Sequence, residues 1–375
     1  MVLSKGLVQT KIPLAKPVFD EEMKNAAIDA LQNERFVMGE SVFKFEEEFA
    51  RYCGTKYAVS TSSGTFALQF SLIALGVNRG DHVVTTPFSF VATANAALHV
   101  GAVPVFADVD IRTCNIDPEL AKEKITSKTR AVIPVHLYGF PADMKSIEDI
   151  FGDKGCVVVE DACQAHGAEY CGQKVGALGD VGCFSFYSSK NMTVCGDGGM
   201  VVTNDEDIAS KVAKLRDCGR ASHCEHDSIG FTARLNTVNA AIGRVQLKRL
   251  DEWNEKRRAC AKLYDEFLND LDELLLPPTG SFDIKPVYHL YVIRTNLRDK
   301  LNVWLEQRGI QCGVHYPLPI HLQPIYRKLF AYKGGEFPKS ELLSKTALSL
   351  PMYPELRKDE IKYTCQSIHD FFDQI

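Results

Sequence analysis

An α/β fold, with a mainly parallel seven-stranded sheet covered by helices and a smaller α+β unit after it, is what this sequence predicts. Short apolar strand candidates recur between Tyr57 and Thr203, and helical segments separate several of them. The composition then resets after Pro277-Pro278-Thr279-Gly280, the best linker candidate.

Taken in order, helical periodicity covers residues 19–33 and 41–53, with Phe43, Phe45, Phe49 and Tyr52 marking the apolar side of the second segment. Strand candidates are residues 57–60, 82–85, 102–107, 131–135, 156–160, 182–186 and 200–203. Helical segments fall at 65–74, 91–100, 118–125 and 144–151, and a long one runs from about 237 to 268. Beyond the linker, strands at 288–293 and 310–315 alternate with helices at 300–308 and 358–372. The expected division is a large domain over 1–250, including the N-terminal helical segment, and a small α+β domain over 251–375.

With 375 residues, 45% of them hydrophobic and 24% charged, the chain suits a soluble protein with a large core. A net charge of -5 and the lack of a long basic tract argue against a nucleic-acid partner. Residues 1–11 lack the apolar stretch and cleavage site of a secretory signal. No apolar run reaches the roughly 20 residues that span a bilayer, so the expected location is the cytoplasm, away from membranes. The 12 cysteines form no Cys-x-x-Cys pair and the 10 histidines no His-Glu-x-x-His motif. They read as reduced and mostly buried thiols, with no metal site expected.

The chemistry centres on Lys190, in Phe184-Ser185-Phe186-Tyr187-Ser188-Ser189-Lys190-Asn191, just before Gly196-Asp197-Gly198-Gly199. Upstream, Val157-Val158-Val159-Glu160-Asp161 is a buried-type strand that ends in a carboxylate. Pyridoxal phosphate needs such a pair. The amine forms a Schiff base with the cofactor aldehyde, and the carboxylate keeps the ring nitrogen protonated so that the ring accepts electrons.

Taken alone, Lys190 is more simply a solvated lysine, so its companions decide. Ser63-Gly64-Thr65, between a strand and a helix, has the small residues, hydroxyls and helix N-terminus of a phosphate cradle, although Ser63 alone reads as a plain helix cap. Phe90, in Thr86-Pro87-Phe88-Ser89-Phe90 after a strand, is placed to stack on a ring or to join the core. Ser185 either adds a phosphate contact or fills an alternating strand position. Phosphate loop, aromatic, strand-end aspartate and lysine, in that order on a parallel sheet, favour the functional reading.

At this point the chain resembles the DegT/DnrJ family of sugar aminotransferases, built on the fold-type-I scaffold. The likeness runs through Ser63-Gly64-Thr65-Phe66-Ala67-Leu68, Phe90-Val91-Ala92-Thr93-Ala94, Glu160-Asp161-Ala162-Cys163-Gln164-Ala165-His166-Gly167-Ala168, Gly198-Gly199-Met200 and Gly313-Val314-His315-Tyr316-Pro317. It implies that Lys190 holds pyridoxal phosphate, Asp161 faces the ring nitrogen and Phe90 stacks on the ring. Gln164 then lies near the phenolic oxygen, and Gly64, Thr65 and Ser185 bind the phosphate.

The resemblance also implies a homodimer with active sites at the interface, an amino donor such as L-glutamate, and a nucleotide-sugar substrate. Relatives often carry Asn in a Gly-x-Asn-x-Arg segment that reaches the partner's phosphate. Here Gly230-Phe231-Thr232-Ala233-Arg234-Leu235-Asn236 places Thr232 there, and either Thr232 or Asn236 takes that contact. Arg234, whose fork binds oxyanions, and His315-Tyr316 are candidates for the sugar nucleotide, with an ion pair or a core histidine as the plainer reading. Lysine at 190 rather than histidine favours aminotransfer over the dehydration chemistry of the same scaffold. An aminotransferase for a cyclitol or aromatic-precursor ketone, and a cofactor-binding regulatory protein with little turnover, are the alternatives.

Overall fold

Seven strands form the central sheet of the computed structural model, which describes residues 12–374. The segment 1–11, read above for a targeting signal, lies outside the described residues. The sheet contains β1 (Tyr57–Thr61), β2 (His82–Thr85), β3 (Val103–Phe106), β4 (Thr129–Ile133), β5 (Val157–Asp161), β8 (Val181–Ser185) and β9 (Gly199–Thr203). A hairpin, β6 (Glu169–Tyr170) and β7 (Gln173–Lys174), pairs with β10 (Ile284–Lys285), while β11 (Tyr291–Arg294) pairs with β12 (Ala347–Leu350).

The helices up to the sheet's end are α1 (Glu21–Asn33), α2 (Glu40–Cys53), α3 (Gly64–Ala74), α4 (Ala92–His99), α5 (Pro118–Lys122), α6 (Met144–Gly152) and α7 (Glu206–Arg216). After it come α8 (Thr237–Leu247), α9 (Leu250–Leu268), α10 (Arg298–Gln307), α11 (Pro324–Phe330), α12 (Pro338–Thr346) and α13 (Lys358–Phe372). No helix among the described residues is long and apolar enough to cross a membrane.

The sheet order is β1-β9-β8-β5-β4-β2-β3. Strands β3, β2, β4, β5 and β8 run parallel, and β9 runs against both β8 and β1. β1 therefore points the same way as β8, so the chain leaves β1, β2, β4, β5 and β8 at one edge. A parallel sheet buries both faces, which is why β5 opens with three consecutive valines. Val83 and Val159 pack beneath Leu68, Phe70 and Val212 of α3 and α7. Their neighbours Val84 and Val158 face the other way, against Ile147 and Phe151 of α6. Phe45 and Phe49 of α2 extend that second layer over Phe184, Phe186 and Met200.

Two local features shape the shared edge. The Ser63 hydroxyl accepts the Phe66 amide at 3.2 Å and so starts α3 directly after β1. At Gly199 a Cβ would lie 2.4 Å from the Ser63 carbonyl, so only glycine lets β9 begin beside that loop. Beyond the sheet, Tyr264 and Leu268 of α9 pack with Tyr291, Leu301, Leu348 and Ile368 in a separate apolar cluster. The Ile320 amide donates to the Pro87 carbonyl at 2.8 Å, which ties the C-terminal part to the loop after β2.

Some expectations need correction. The helical stretch expected over 237–268 is two helices, α8 and α9, broken at Lys248 and Arg249. No glycine or proline marks the break; Arg249 instead turns to pair with Asp20 and Glu22. The strand expected over 310–315 is reduced to isolated bridges, Ile310 to Ile12 and Gly313 to Ser349, because its two ends pair with different neighbours. Phe43 is 53% exposed, since the buried stripe of α2 runs through Val42, Phe45 and Phe49 at helical spacing. Of the cysteines, all free, Cys53, Cys114, Cys156, Cys183, Cys260 and Cys365 are buried, whereas Cys171, Cys195 and Cys224 are exposed.

Candidate active site

A pocket of about 500 Å³, a size typical of small-molecule sites, opens at the shared strand edge. Lys190, Asp161, Ser63, Gly64, Thr65, Phe90, Gln164, Ser185, His315 and Tyr316 all line it. Thr232, Arg234 and Asn236 do not. Thr232 and Asn236 are exposed, Asn236 immediately precedes α8, and Arg234 pairs with Asp217 at 2.7 Å.

Asp161 ends β5 with its carboxylate buried. Thr93 Oγ1 donates to its Oδ2 at 2.7 Å, and the Cys163 amide donates to Oδ1 at 3.2 Å. Both partners are donors, so each oxygen acts as an acceptor and keeps a lone pair for a further donor. The preceding Glu160 belongs to a closed network instead. It accepts the amides of Gly176 at 2.6 Å and of Leu178 and Gly179 at 2.7 Å, together with His136 Nε2 at 2.9 Å. Because His136 Nδ1 accepts the Ala142 amide at 3.0 Å, its proton sits on Nε2. Two adjacent carboxylates thus split their duties: Glu160 anchors the strand end and Asp161 faces the pocket.

Lys190 reaches the pocket from the turn after β8, where its amide donates to the Tyr187 carbonyl at 2.9 Å. Burial holds its amine below the ordinary lysine range, with Cys163 and Asp161 pulling partway back. A depressed pKa enlarges the neutral fraction, the form that attacks a carbonyl. Among the described residues the amine has no hydrogen-bond partner.

These residues fit pyridoxal phosphate on several counts. The amides of Gly64 and Thr65, in the first turn of α3, have no acceptor among the described residues, and both residues line the pocket. A Cβ on Gly64 would sit 2.8 Å from Ser185 Cβ and 2.9 Å from Cys163 Sγ, so glycine is required for the helix start to meet β8. Ser63 caps the helix and lines the pocket, so the two readings of that residue are compatible. Phe90 is 55% exposed, an aromatic face open at the pocket rather than part of the core. Its ring lies 6.3 Å from that of Tyr316.

Gln164 is held from both ends. The Tyr138 amide donates to its Oε1 at 2.9 Å, which fixes the orientation of the side-chain amide, and its Nε2 donates to the Tyr316 hydroxyl at 3.1 Å. The Tyr138 hydroxyl donates to the His315 carbonyl, so the loop after β4 also positions His315 and Tyr316. His315 Nδ1 lies 2.9 Å from Ser349 Oγ, and burial together with Lys190 lowers its pKa to about 4.

The structure adds Thr93, Cys163, Tyr187, Ser189, Asp197 and His289 to the pocket wall, residues to which the sequence reading gave no role. Thr93 had a signal, since it lies one helical turn beyond Phe90. His289 had none, because nothing near it in the chain belongs to the sheet edge.

The model of the DegT/DnrJ/EryC1/StrS aminotransferase family matches residues 17–369. A pleiotropic regulatory protein of Geobacillus stearothermophilus is 41% identical over 352 residues, 94% of each chain. A UDP-N-acetyl-3-dehydro-alpha-D-glucosamine 3-aminotransferase of Acidithiobacillus ferrooxidans is 41% identical over 332 residues, 88% of each chain. The crystal structure of S. venezuelae DesV in complex with a ketimine intermediate superposes with a TM-score of 0.91 at 39% identity, covering 93% of this chain and 94% of that one. The fold, the pocket and these matches together place the chain in the DegT/DnrJ/EryC1/StrS aminotransferase family, whose cofactor is pyridoxal phosphate.

Proposed function

We propose that the protein moves an amino group from L-glutamate to the ketone of a nucleoside-diphosphate sugar, as a cytoplasmic homodimer whose subunits divide near residue 250. The observation that carries this reading is the placement of Lys190 and Asp161 on one pocket with the first turn of α3.

When bound, pyridoxal phosphate supplies an electrophilic carbonyl and an electron sink. Lys190 would hold the cofactor covalently, and its Nζ, when free, would move a proton as base and then acid. Asp161, kept in place by Thr93 and Cys163, would accept a hydrogen bond from the ring nitrogen. Gly64, Thr65 and Ser185 would hold the phosphate at the α3 start, Phe90 would stack on the ring, and Gln164 would serve its phenolic oxygen. Tyr316 and His315 face the sugar.

Charge supports the homodimer. Among the described residues, Lys190 is the only lysine or arginine lining the pocket, and the cofactor consumes it. The phosphate and the sugar diphosphate therefore need cations or donors from elsewhere. Exposed Thr232 and Asn236, with nearby Arg234, would supply them to the pocket of a second copy. The relative named for a UDP-sugar supports the nucleotide-sugar substrate. An intact lysine and aspartate favour turnover over a purely regulatory role.

Incubation with isotope-labelled glutamate and a panel of nucleotide keto-sugars is the test. Label in an aminated nucleotide sugar is expected. Labelling of a keto-cyclitol alone would replace the sugar in this reading.

A further inference from the structure

The backbone of Tyr138 decides which end of the Gln164 amide faces which neighbour. Tyr138 sits at a φ of 58°, a strained position for a bulky residue, with its N–H directed at Gln164 Oε1 at 2.9 Å. A backbone N–H can only donate, so the atom it meets is the oxygen and Nε2 lies on the other side. Nε2 donates to Tyr316 Oη at 3.1 Å. Since an amide nitrogen never accepts, the Tyr316 oxygen is the acceptor and its own hydrogen must point elsewhere.

Two hydrogens are thereby left over, the second one on Gln164 Nε2 and the one on Tyr316 Oη, and neither meets an acceptor among the described residues. Burial pushes the Tyr316 phenol up, against the pull of Gln164, so the hydroxyl keeps its hydrogen. Both side chains line the pocket with Lys190 and Asp161. The other titratable groups there are Cys163, Tyr187, Asp197, His289 and His315. Burial holds both histidines uncharged, so Lys190 is the one cation lining the pocket among the described residues. An anionic oxygen beside Lys190 would therefore have to be held by neutral donors, and these two hydrogens are available.

We propose that Tyr316 Oη and Gln164 Nε2 together donate to the ionised ring oxygen of pyridoxal phosphate and so set the pH at which the Lys190-bound cofactor gives up its proton. This rests on the reading that Lys190 binds the cofactor. The family resemblance gives that oxygen to Gln164 alone; the second donor follows from the direction of the Gln164–Tyr316 hydrogen bond. The hydroxyl is thus assigned to the cofactor, leaving the Tyr316 ring and His315 for the sugar. Lys190 Nζ and the ring oxygen share one proton. A hydrogen bond to an anion favours the anion, so each donor stabilises the state that the proton has left and moves its loss to lower pH.

The test titrates the absorbance of the lysine-bound cofactor in the full-length protein, with no amino donor or sugar present. Tyr316→Phe is expected to raise the midpoint by about one pH unit, with the cofactor still on Lys190 after borohydride reduction. Gln164→Glu keeps an oxygen for the Tyr138 amide and sets an acceptor where Nε2 stood, which draws the Tyr316 hydrogen away from the ring. Its midpoint should rise further, and adding Tyr316→Phe to it should move the midpoint by less than about 0.3 units. If the Phe variant fails to fold, fluorotyrosine in place of Tyr316 keeps the shape with a stronger donor and should lower the midpoint.

An unmoved midpoint in Tyr316→Phe, even with weaker cofactor binding, would mean a structural role and overturn the proposal. An unmoved midpoint with a raised KM for a nucleotide sugar would assign the hydroxyl to the sugar instead. Full additivity of the two substitutions, or no shift with fluorotyrosine, would also overturn it. A parent protein without a band of lysine-bound cofactor at any pH would remove the reading beneath the proposal and the proposal with it.

Discussion

Lys190→Ala is expected to lower amino transfer by about ten-thousand-fold or more, with no cofactor retained covalently after borohydride reduction. The size follows from the double duty of one amine. In the proposed reaction it would hold the cofactor and then carry the proton between two carbons, and the described pocket offers no other lysine to take either part. Little loss of stability should accompany it, because Nζ has no partner among the described residues and its burial is itself a cost. Mass spectrometry of the reduced protein checks the first half and a thermal melt the second. Covalent cofactor on a different lysine would move the site.

Asp161→Asn should behave differently. The cofactor is expected to remain linked to Lys190 while turnover falls by about a hundred- to a thousand-fold. Asparagine fits the local bonding. The Cys163 amide is an obligate donor and keeps Oδ1, so the new amide nitrogen faces the Thr93 hydroxyl, which can rotate to accept. What disappears is the negative charge that, in the proposed reaction, would hold the ring nitrogen protonated. Absorbance of the lysine-bound cofactor, measured beside the rate, separates lost binding from lost chemistry. A variant that turns over at the parent rate would remove Asp161 from the mechanism.

Much of the fold was legible because a parallel sheet writes itself locally. Each central strand is a short apolar run between turns, and residues 82–85 were placed to the residue. Lys190, Asp161 and the Ser63-Gly64-Thr65 loop were legible for the same reason, since each follows or ends such a strand. Illegible features depended on distant partners. Arg249 breaks a helix through Asp20 and Glu22, more than two hundred residues upstream, and no local residue announces it. The strand expected over 310–315 fails because Ile12 and Ser349 compete for its two ends.

Within the pocket, the supporting groups were harder to read than Lys190 and Asp161. Thr93 reaches Asp161 across 68 residues, and Asn191 reaches His289 across 98. A hydroxyl or an amide carries no pattern of its own until the fold supplies its partner. Arg234, Thr232 and Asn236 show the opposite case. Their residue types suited an anion, yet a single chain leaves all three outside the pocket, and only a second copy would give them a role there.

Lys190 and pyridoxal phosphate are expected to accept an amino group from a donor. Rapid-scan absorbance of the protein loaded with cofactor, mixed with L-glutamate and no acceptor, tests it most directly. The band of lysine-bound cofactor should disappear, and pyridoxamine phosphate and the keto acid of glutamate should form in equal amounts. A band that persists with glutamate and with every other amino donor, while the cofactor stays bound to Lys190, would contradict it.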